Sequence, residues 1–246
     1  MLNTVNYDGP KTTPLLIAHG LFGSARNWNV IAKRLSATRP VIVVDMRNHG
    51  TSPWFKTHSY KEQAEDLAKV IDQPMDVLGH SMGGKASMVL ALKYPKKVNR
   101  LIIADIAPVA YAHSQIGPIE AMQSVDLSVV KSRADAIAQL GGLQDGVAEF
   151  LIQSLDIKGK CWKLNLDALA AEMDKIIGFP EVLGQFSGPT LFLSGANSDY
   201  IKHSHRAIIK ALFPQPYFAK INGAGHWLHA EKPREFEASI AAFCTI

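Results

Sequence analysis

Cysteine is scarce in this chain. Cys161 and Cys244 are its two cysteines among 246 residues, and they show no CxxC spacing and no companion histidine pattern. That argues against a disulfide framework and a cysteine-held metal, and favours two free thiols in a reducing, cytoplasmic setting. Long hydrophobic runs are absent too. No uninterrupted apolar stretch approaches the roughly 20 residues of a membrane helix, and even LIIADIAPVAYA (101–112) is interrupted by Asp105. The opening MLNTVNYDGPKTTP lacks the basic start and apolar run of a secretory signal, so none is expected. Charge is mild at a formal +4, with no basic stripe interleaved with aromatics, which argues against a nucleic-acid partner. Repeats and low-complexity segments are missing.

What remains is the composition of an ordinary globular protein, 47% hydrophobic and 20% charged, enough to bury a sizeable core. Short apolar runs rich in branched residues alternate with amphipathic segments of helix length, the pattern of a parallel sheet wrapped by helices. PLLIAHG (14–20), PVIVVDMRNHG (40–50), MDVLGHS (75–81) and RLIIADIAP (100–108) each predict a strand ending in a polar or glycine-containing turn. Helices are expected over 25–37, 59–72 and 83–95, the last stopping at Pro95.

After Pro108 the strand rhythm ceases. PIEAMQSV, KSRADAIAQL, DGVAEFLIQSL and NLDALAAEMDKII predict helices with no strand between them. Strands then resume at 188–195 and 217–223, each followed by a helix, at 203–213 and 232–244. The expectation is an α/β core made of 1–108 and 185–246, with a small helical lid, 109–184, inserted between two core strands. Residues 108–184 hold six Lys/Arg and ten Asp/Glu, so a mildly acidic insert sits on a core carrying +8. Such an insert lies at the carboxyl edge of the sheet, where open α/β sheets bind ligands.

GHSMGG (79–84) fits G-x-S-x-G and stands between a predicted strand and a predicted helix, as a strained nucleophile turn requires. Gly79 and Gly83 leave room for the turn, Ser81 is the candidate nucleophile, and the helix after it aims its positive end at the reaction centre. A serine hydroxyl needs a base. Among nine histidines, His226 in GAGHWLHAEKP follows the last strand and lies C-terminal to Ser81, in the required chain order; His229 is its nearest rival. His80 adjoins the nucleophile and is expected to point elsewhere, and His203 and His205 face different sides. In AHGLFGS (18–24) the N–H of Leu21, with that of Met82, supplies candidate donors for a tetrahedral oxyanion.

Together HGLFGS, DMRNHGTS (45–52), GHSMGG, DIAPV and GAGHWLHAEKP resemble the α/β-hydrolase superfamily, and their wording is similar to the bacterial YbfF-type esterases. The likeness covers about 15–110 and 188–240. It implies a cofactor-free, metal-free hydrolase of carboxylic esters, with acyl-CoA thioesters among the substrate types and a small-molecule ester or thioester as partner. It also implies that Asp45, Arg47, Gly50 and Ser52 are loop architecture, with Arg47 and Asp45 in one network.

The acid that orients the histidine is less direct. LSGANSDYIK (193–202) carries Ser198 where many hydrolases hold a catalytic acid, with Asp199 one residue further on. Asp105, at the end of an apolar run before the lid, is the other candidate, since an unpartnered carboxylate there is costly. Residue chemistry alone leaves both open. The resemblance favours Asp105, because YbfF-type esterases take their aspartate from the DIAPV position; Asp199 is then the runner-up and Ser198 a supporting hydroxyl.

The expected activity is hydrolysis of short- to medium-chain acyl esters by a Ser-His-Asp triad through an acyl-enzyme. An acyl-CoA thioesterase, a C–C bond hydrolase or lyase, and a non-catalytic binding protein are the alternatives. Met122, Phe150, Leu151, Met173 and Ile177 are candidates to line an acyl pocket, against the commoner use of such stripes in core packing.

Overall fold

The computed structural model describes residues 1–143 and 146–245. In chain order the first half holds β1 (Thr4–Tyr7), β2 (Leu15–Ala18), α1 (Asn29–Leu35), β3 (Val41–Val44), α2 (Tyr60–Val70), β4 (Met75–His80), α3 (Met82–Lys93) and β5 (Val98–Ala104). The insertion follows with α4 (Ile116–Ser124), α5 (Arg133–Gln139) and α6 (Val147–Leu151). It continues with β6 (Leu155–Asp156), β7 (Cys161–Trp162), α7 (Leu166–Ala171) and α8 (Met173–Ile177). The chain ends through β8 (Thr190–Gly195), α9 (Arg206–Leu212), β9 (Pro216–Ile221), α10 (Leu228–Glu231) and α11 (Pro233–Cys244).

Seven strands form one sheet in the order β1-β3-β2-β4-β5-β8-β9, parallel except for β1. β2 is buried at every position, as is β4, because helices cover both sheet faces; that is why these strands read as continuous apolar runs rather than alternating ones. The chain steps from β2 outward to β3 and then returns to β4 on the other side of β2. At that reversal the loops leaving β2 and β4 diverge and open a crevice at the carboxyl edge. Ala18 pairs with Gly79 across the two strands, so the HGLFGS loop and the GHSMGG turn leave the sheet side by side.

Edge strand β1 has no counterpart among the expected elements, nor does the β6–β7 ribbon inside the insertion. The expected helix NLDALAAEMDKII is broken at Glu172, whose backbone leaves helical geometry (φ −101°, ψ 11°) as its carboxylate accepts from the N–H of His58 at 3.1 Å. The expected helix 145–155 is α6 plus a 3-10 turn, and its first residue, Asp145, lies outside the described residues.

The insertion is tied down where it rejoins the core. Lys85 Nζ donates to Ile177 O at 2.8 Å and Gly178 O at 2.5 Å, and Tyr60 Oη donates to Ile176 O at 2.6 Å. No carboxylate pairs with Lys85 among the described residues, and burial holds its amine down to about 7. Also among them, no helix is long and apolar enough to cross a membrane.

Candidate active site

Ser81 caps α3 with a strained backbone of positive φ, φ 51° and ψ −118°. A side chain on Gly79 would collide with Gly83 O and the backbone of Gly84, and one on Gly83 with the carbonyls of Ala18 and His19. The glycines of G-x-S-x-G are therefore demanded by close backbone approach, and the strain they permit lifts Ser81 clear of the sheet.

Two histidine hydrogen bonds link three elements. His226, in the loop after β9, places Nε2 3.0 Å from Ser81 Oγ and Nδ1 2.8 Å from Asp105 Oδ2. A carboxylate only accepts, so Nδ1 carries the proton and Nε2 is free to receive one from the serine. Asp105 follows β5, the strand beside β4, with φ 53° and a fully buried side chain. Gly195 N–H donates to its Oδ1 at 3.1 Å, and Ser198 Oγ to its Oδ2 at 2.5 Å. These donors fix the orientation of a carboxylate that is closed off from solvent. Asp199 sits apart. Its side chain is 84% exposed and pairs with Lys202 at 3.3 Å.

The HGLFGS loop owes its shape to two buried histidines. His19 Nδ1–H donates to Gly20 O at 2.8 Å, and Gly23 N–H donates to the same oxygen at 3.1 Å. In a trans peptide the N–H points opposite the carbonyl, so anchoring Gly20 O turns the N–H of Leu21 the other way. Leu21 and Met82 both line the cavity over Ser81, and among the described residues no loop acceptor takes either N–H. Phe22, held at φ 63°, donates its N–H to His49 Nε2 at 3.2 Å. His49 donates Nδ1–H to Arg47 O at 2.8 Å, while His19 Nε2 accepts from Met46 N–H at 2.9 Å. Both rings use one nitrogen as donor and the other as acceptor, which only neutral imidazole can do, and burial lowers the pKa of both.

Asp45 and Arg47 belong to different networks. Asp45 accepts from the N–H groups of Ala25 and Thr51 and from Asn3, whereas Arg47 pairs with Asp66 at 2.7 Å and Glu62 at 3.1 Å. Ser52 donates to Asp45 O, and Gly50 packs where a side chain would strike the Asp45 carboxylate. His80 does not point away from the site: its Nε2 bonds the carbonyl of His226 at 2.9 Å and holds the His226 loop against the Ser81 turn. His229 stacks on Trp28, ring centroids 4.3 Å apart.

A cavity of about 420 Å³ opens onto Ser81 between core and insertion. Phe150, Leu151 and Ile177 line it, together with Tyr60, Ile106 and Ile176. Met122 and Met173 do not; they are buried in the packing of the insertion. Among the described residues no cluster of His, Cys, Asp and Glu could hold a metal ion. A serine, a histidine and a carboxylate hydrogen-bonded in sequence beneath an apolar pocket form an arrangement able to carry acyl transfer.

An alpha/beta hydrolase family model matches residues 15–239. The sn-1-specific diacylglycerol lipase ABHD11 of Mus musculus is 42% identical over 253 residues, 96% of this chain and 82% of that protein. Esterase YbfF of Escherichia coli K12 is 38% identical over 231 residues, 91% of this chain and 89% of its own. A solved structure described as a marine microorganism esterase superposes with a TM-score of 0.92 at 37% identity, covering 98% of each chain.

Proposed function

The chain belongs to the alpha/beta hydrolase family, and from that premise we propose that it is an enzyme that hydrolyses carboxylic esters through an acyl-enzyme on Ser81. His226 Nε2 takes the Ser81 proton as Oγ attacks the ester carbonyl carbon. The N–H groups of Leu21 and Met82 hold the oxyanion that forms, a contribution of about 10²–10³ in rate per donor. The intermediate collapses, the C–O bond to the alcohol breaks, and His226 gives its proton to the departing oxygen. Water then enters, loses a proton to the same nitrogen and attacks the acyl carbon; the bond to Oγ breaks, His226 returns the proton to Oγ, and the acid leaves with Ser81 restored. Asp105 keeps the proton on Nδ1 and balances the imidazolium that exists during each attack.

The observation that carries this reading is the unbroken run from Ser81 Oγ through His226 to Asp105, at 3.0 and 2.8 Å. The apolar lining contributed by Phe150, Leu151 and Ile177 suits an acyl chain. The names of the relatives, a diacylglycerol lipase and an esterase, support esters as the substrate class. A series of p-nitrophenyl esters from acetate to decanoate tests it. Turnover that peaks at short to medium chains and vanishes in Ser81→Ala supports the proposal; an ester series left untouched by the wild-type enzyme contradicts it.

A further inference from the structure

Tyr200 lies in the loop after β8 with its ring stacked on His226, centroids 3.9 Å apart and planes 19° from parallel. Its position is set from three sides. The hydroxyl is hydrogen-bonded to His113 Nε2 at 2.8 Å, in the first stretch of the insertion. Tyr200 O accepts from Tyr111 Oη at 2.8 Å, and that same oxygen of Tyr111 accepts from Ala107 N–H, two residues beyond Asp105. Tyr200 N–H donates to Ser198 Oγ at 3.3 Å, the hydroxyl that also serves Asp105.

We propose that Tyr200 is a positioning residue for the base: its π face supports the imidazolium formed when His226 takes the serine proton, and its hydroxyl links that support to the insertion through His113. The proposal rests on the reading of His226 as the general base. The face of an aromatic ring is electron-rich, so a cation lying on it is attracted more strongly than the neutral ring it came from. A contact that strengthens as the proton arrives favours the transition state over the ground state.

The groups facing His226 do not already supply this. Asp105 approaches Nδ1 edge-on from the loop after β5, and Ser81 approaches Nε2 from the elbow. Glu231, on α10, accepts from the N–H groups of Gly225 and Trp227 on either side of His226. His80 has its ring centroid 4.9 Å away. Burial lowers the pKa of His80 and takes His229 down to about 3, so both are neutral near pH 7. Asp199, beside Tyr200, is paired with Lys202. Tyr200 keeps its own proton, pushed up to about 12 by burial.

The test is the pH dependence of kcat/KM on p-nitrophenyl butyrate for the full chain and for His226→Ala, Tyr200→Phe and Tyr200→Leu. Leucine keeps an apolar cover on the imidazole and removes the π face together with the hydroxyl, and Tyr200→Phe reads the loss of the hydroxyl alone. Removing a contact that favours the charged ring lowers its pKa, so in Tyr200→Leu the acid limb moves down by about half a unit to one unit. The plateau falls by roughly three- to tenfold, the same interaction read as a rate. Tyr200→Phe retains the face and leaves the limb at its wild-type position. Disorder of the loop would lower the plateau without moving the limb, and Tyr200→Met repeats the comparison if the leucine variant does not fold. Inactive His226→Ala with an unmoved limb in the folded leucine or methionine variant overturns the role of Tyr200 alone. Wild-type turnover in His226→Ala overturns the base assignment and this proposal with it.

Discussion

Ser198 and His226 donate to the same oxygen of Asp105, Oδ2, at 2.5 and 2.8 Å. Gly195 N–H occupies the other oxygen. The carboxylate thus has one orientation, aimed at His226 Nδ1, although it comes from the loop after β5 rather than from the β8 loop that holds Ser198. The serine in GANSDY stands as a donor to a carboxylate supplied by the neighbouring strand.

That geometry separates the two aspartates. Asp105→Asn keeps the shape but can present an N–H to His226 and disturb its tautomer, and kcat is expected to fall by about 10³–10⁴. Asp199→Asn removes an exposed ion pair with Lys202 and is expected to stay within about twofold of wild type. Steady-state kinetics on one ester decides it; a large loss for Asp199→Asn with Asp105→Asn nearly silent reverses the assignment.

Ser198→Ala removes one of two donors on Oδ2 and leaves the other in place. A hydrogen bond to a charged group is worth about 1.5–3 kcal/mol, and His226 retains its own bond. Turnover should fall by about tenfold, far less than for Asp105→Asn. Equal losses would mean that the hydroxyl, not the carboxylate, organises the histidine.

His49→Ala leaves the N–H of Phe22 without its acceptor at a left-handed residue. The loss expected is about 1–3 kcal/mol in stability, together with a fall in kcat that exceeds any rise in KM, because Leu21 adjoins the loosened residue. Thermal melting and kcat on the same preparation check this. Unchanged kcat in a destabilised variant would show that the histidine braces the fold and not the oxyanion loop.

Acid should destabilise the protein steeply. His19, His49, His58, His80 and His229 all have pKa values lowered by burial, His58 and His229 to about 3. A histidine whose folded pKa is depressed binds its proton more readily unfolded, so its stabilising effect is complete above the ordinary value near 6.5 and is lost as pH falls toward the folded value. For His58 or His229 the loss between pH 6.5 and 5 is about 2 kcal/mol each. Urea midpoints measured across that range should drop. A flat profile to pH 5 would contradict the neutral, buried assignment of these rings.

The parts of the site read from the sequence are those where sterics leave one solution. Gly79 and Gly83 flank Ser81 because neighbouring backbone fills the space of a side chain, and such a demand is visible in a motif. The buried core strands were visible as unbroken apolar runs. Strand β1 was not, because TVNY at a sheet edge is only partly buried and carries no clear period. The β6–β7 ribbon has two residues per strand, too short for any pattern. The histidine brace was equally hidden: His19 and His49 lie 30 positions apart, and only the pairing of β2 with β3 brings their loops together. His80 was expected to face elsewhere since a residue beside a nucleophile turns to the other side of the strand, yet that side is where the His226 carbonyl arrives.

The most direct test of the account is labelling by a fluorophosphonate, followed by intact-mass analysis and peptide mapping. The account predicts one adduct per chain, on Ser81, forming at least about 10³-fold more slowly in His226→Ala and not at all in Ser81→Ala. No adduct on an enzyme that turns over esters, or an adduct on another residue with ester turnover surviving in Ser81→Ala, would contradict it.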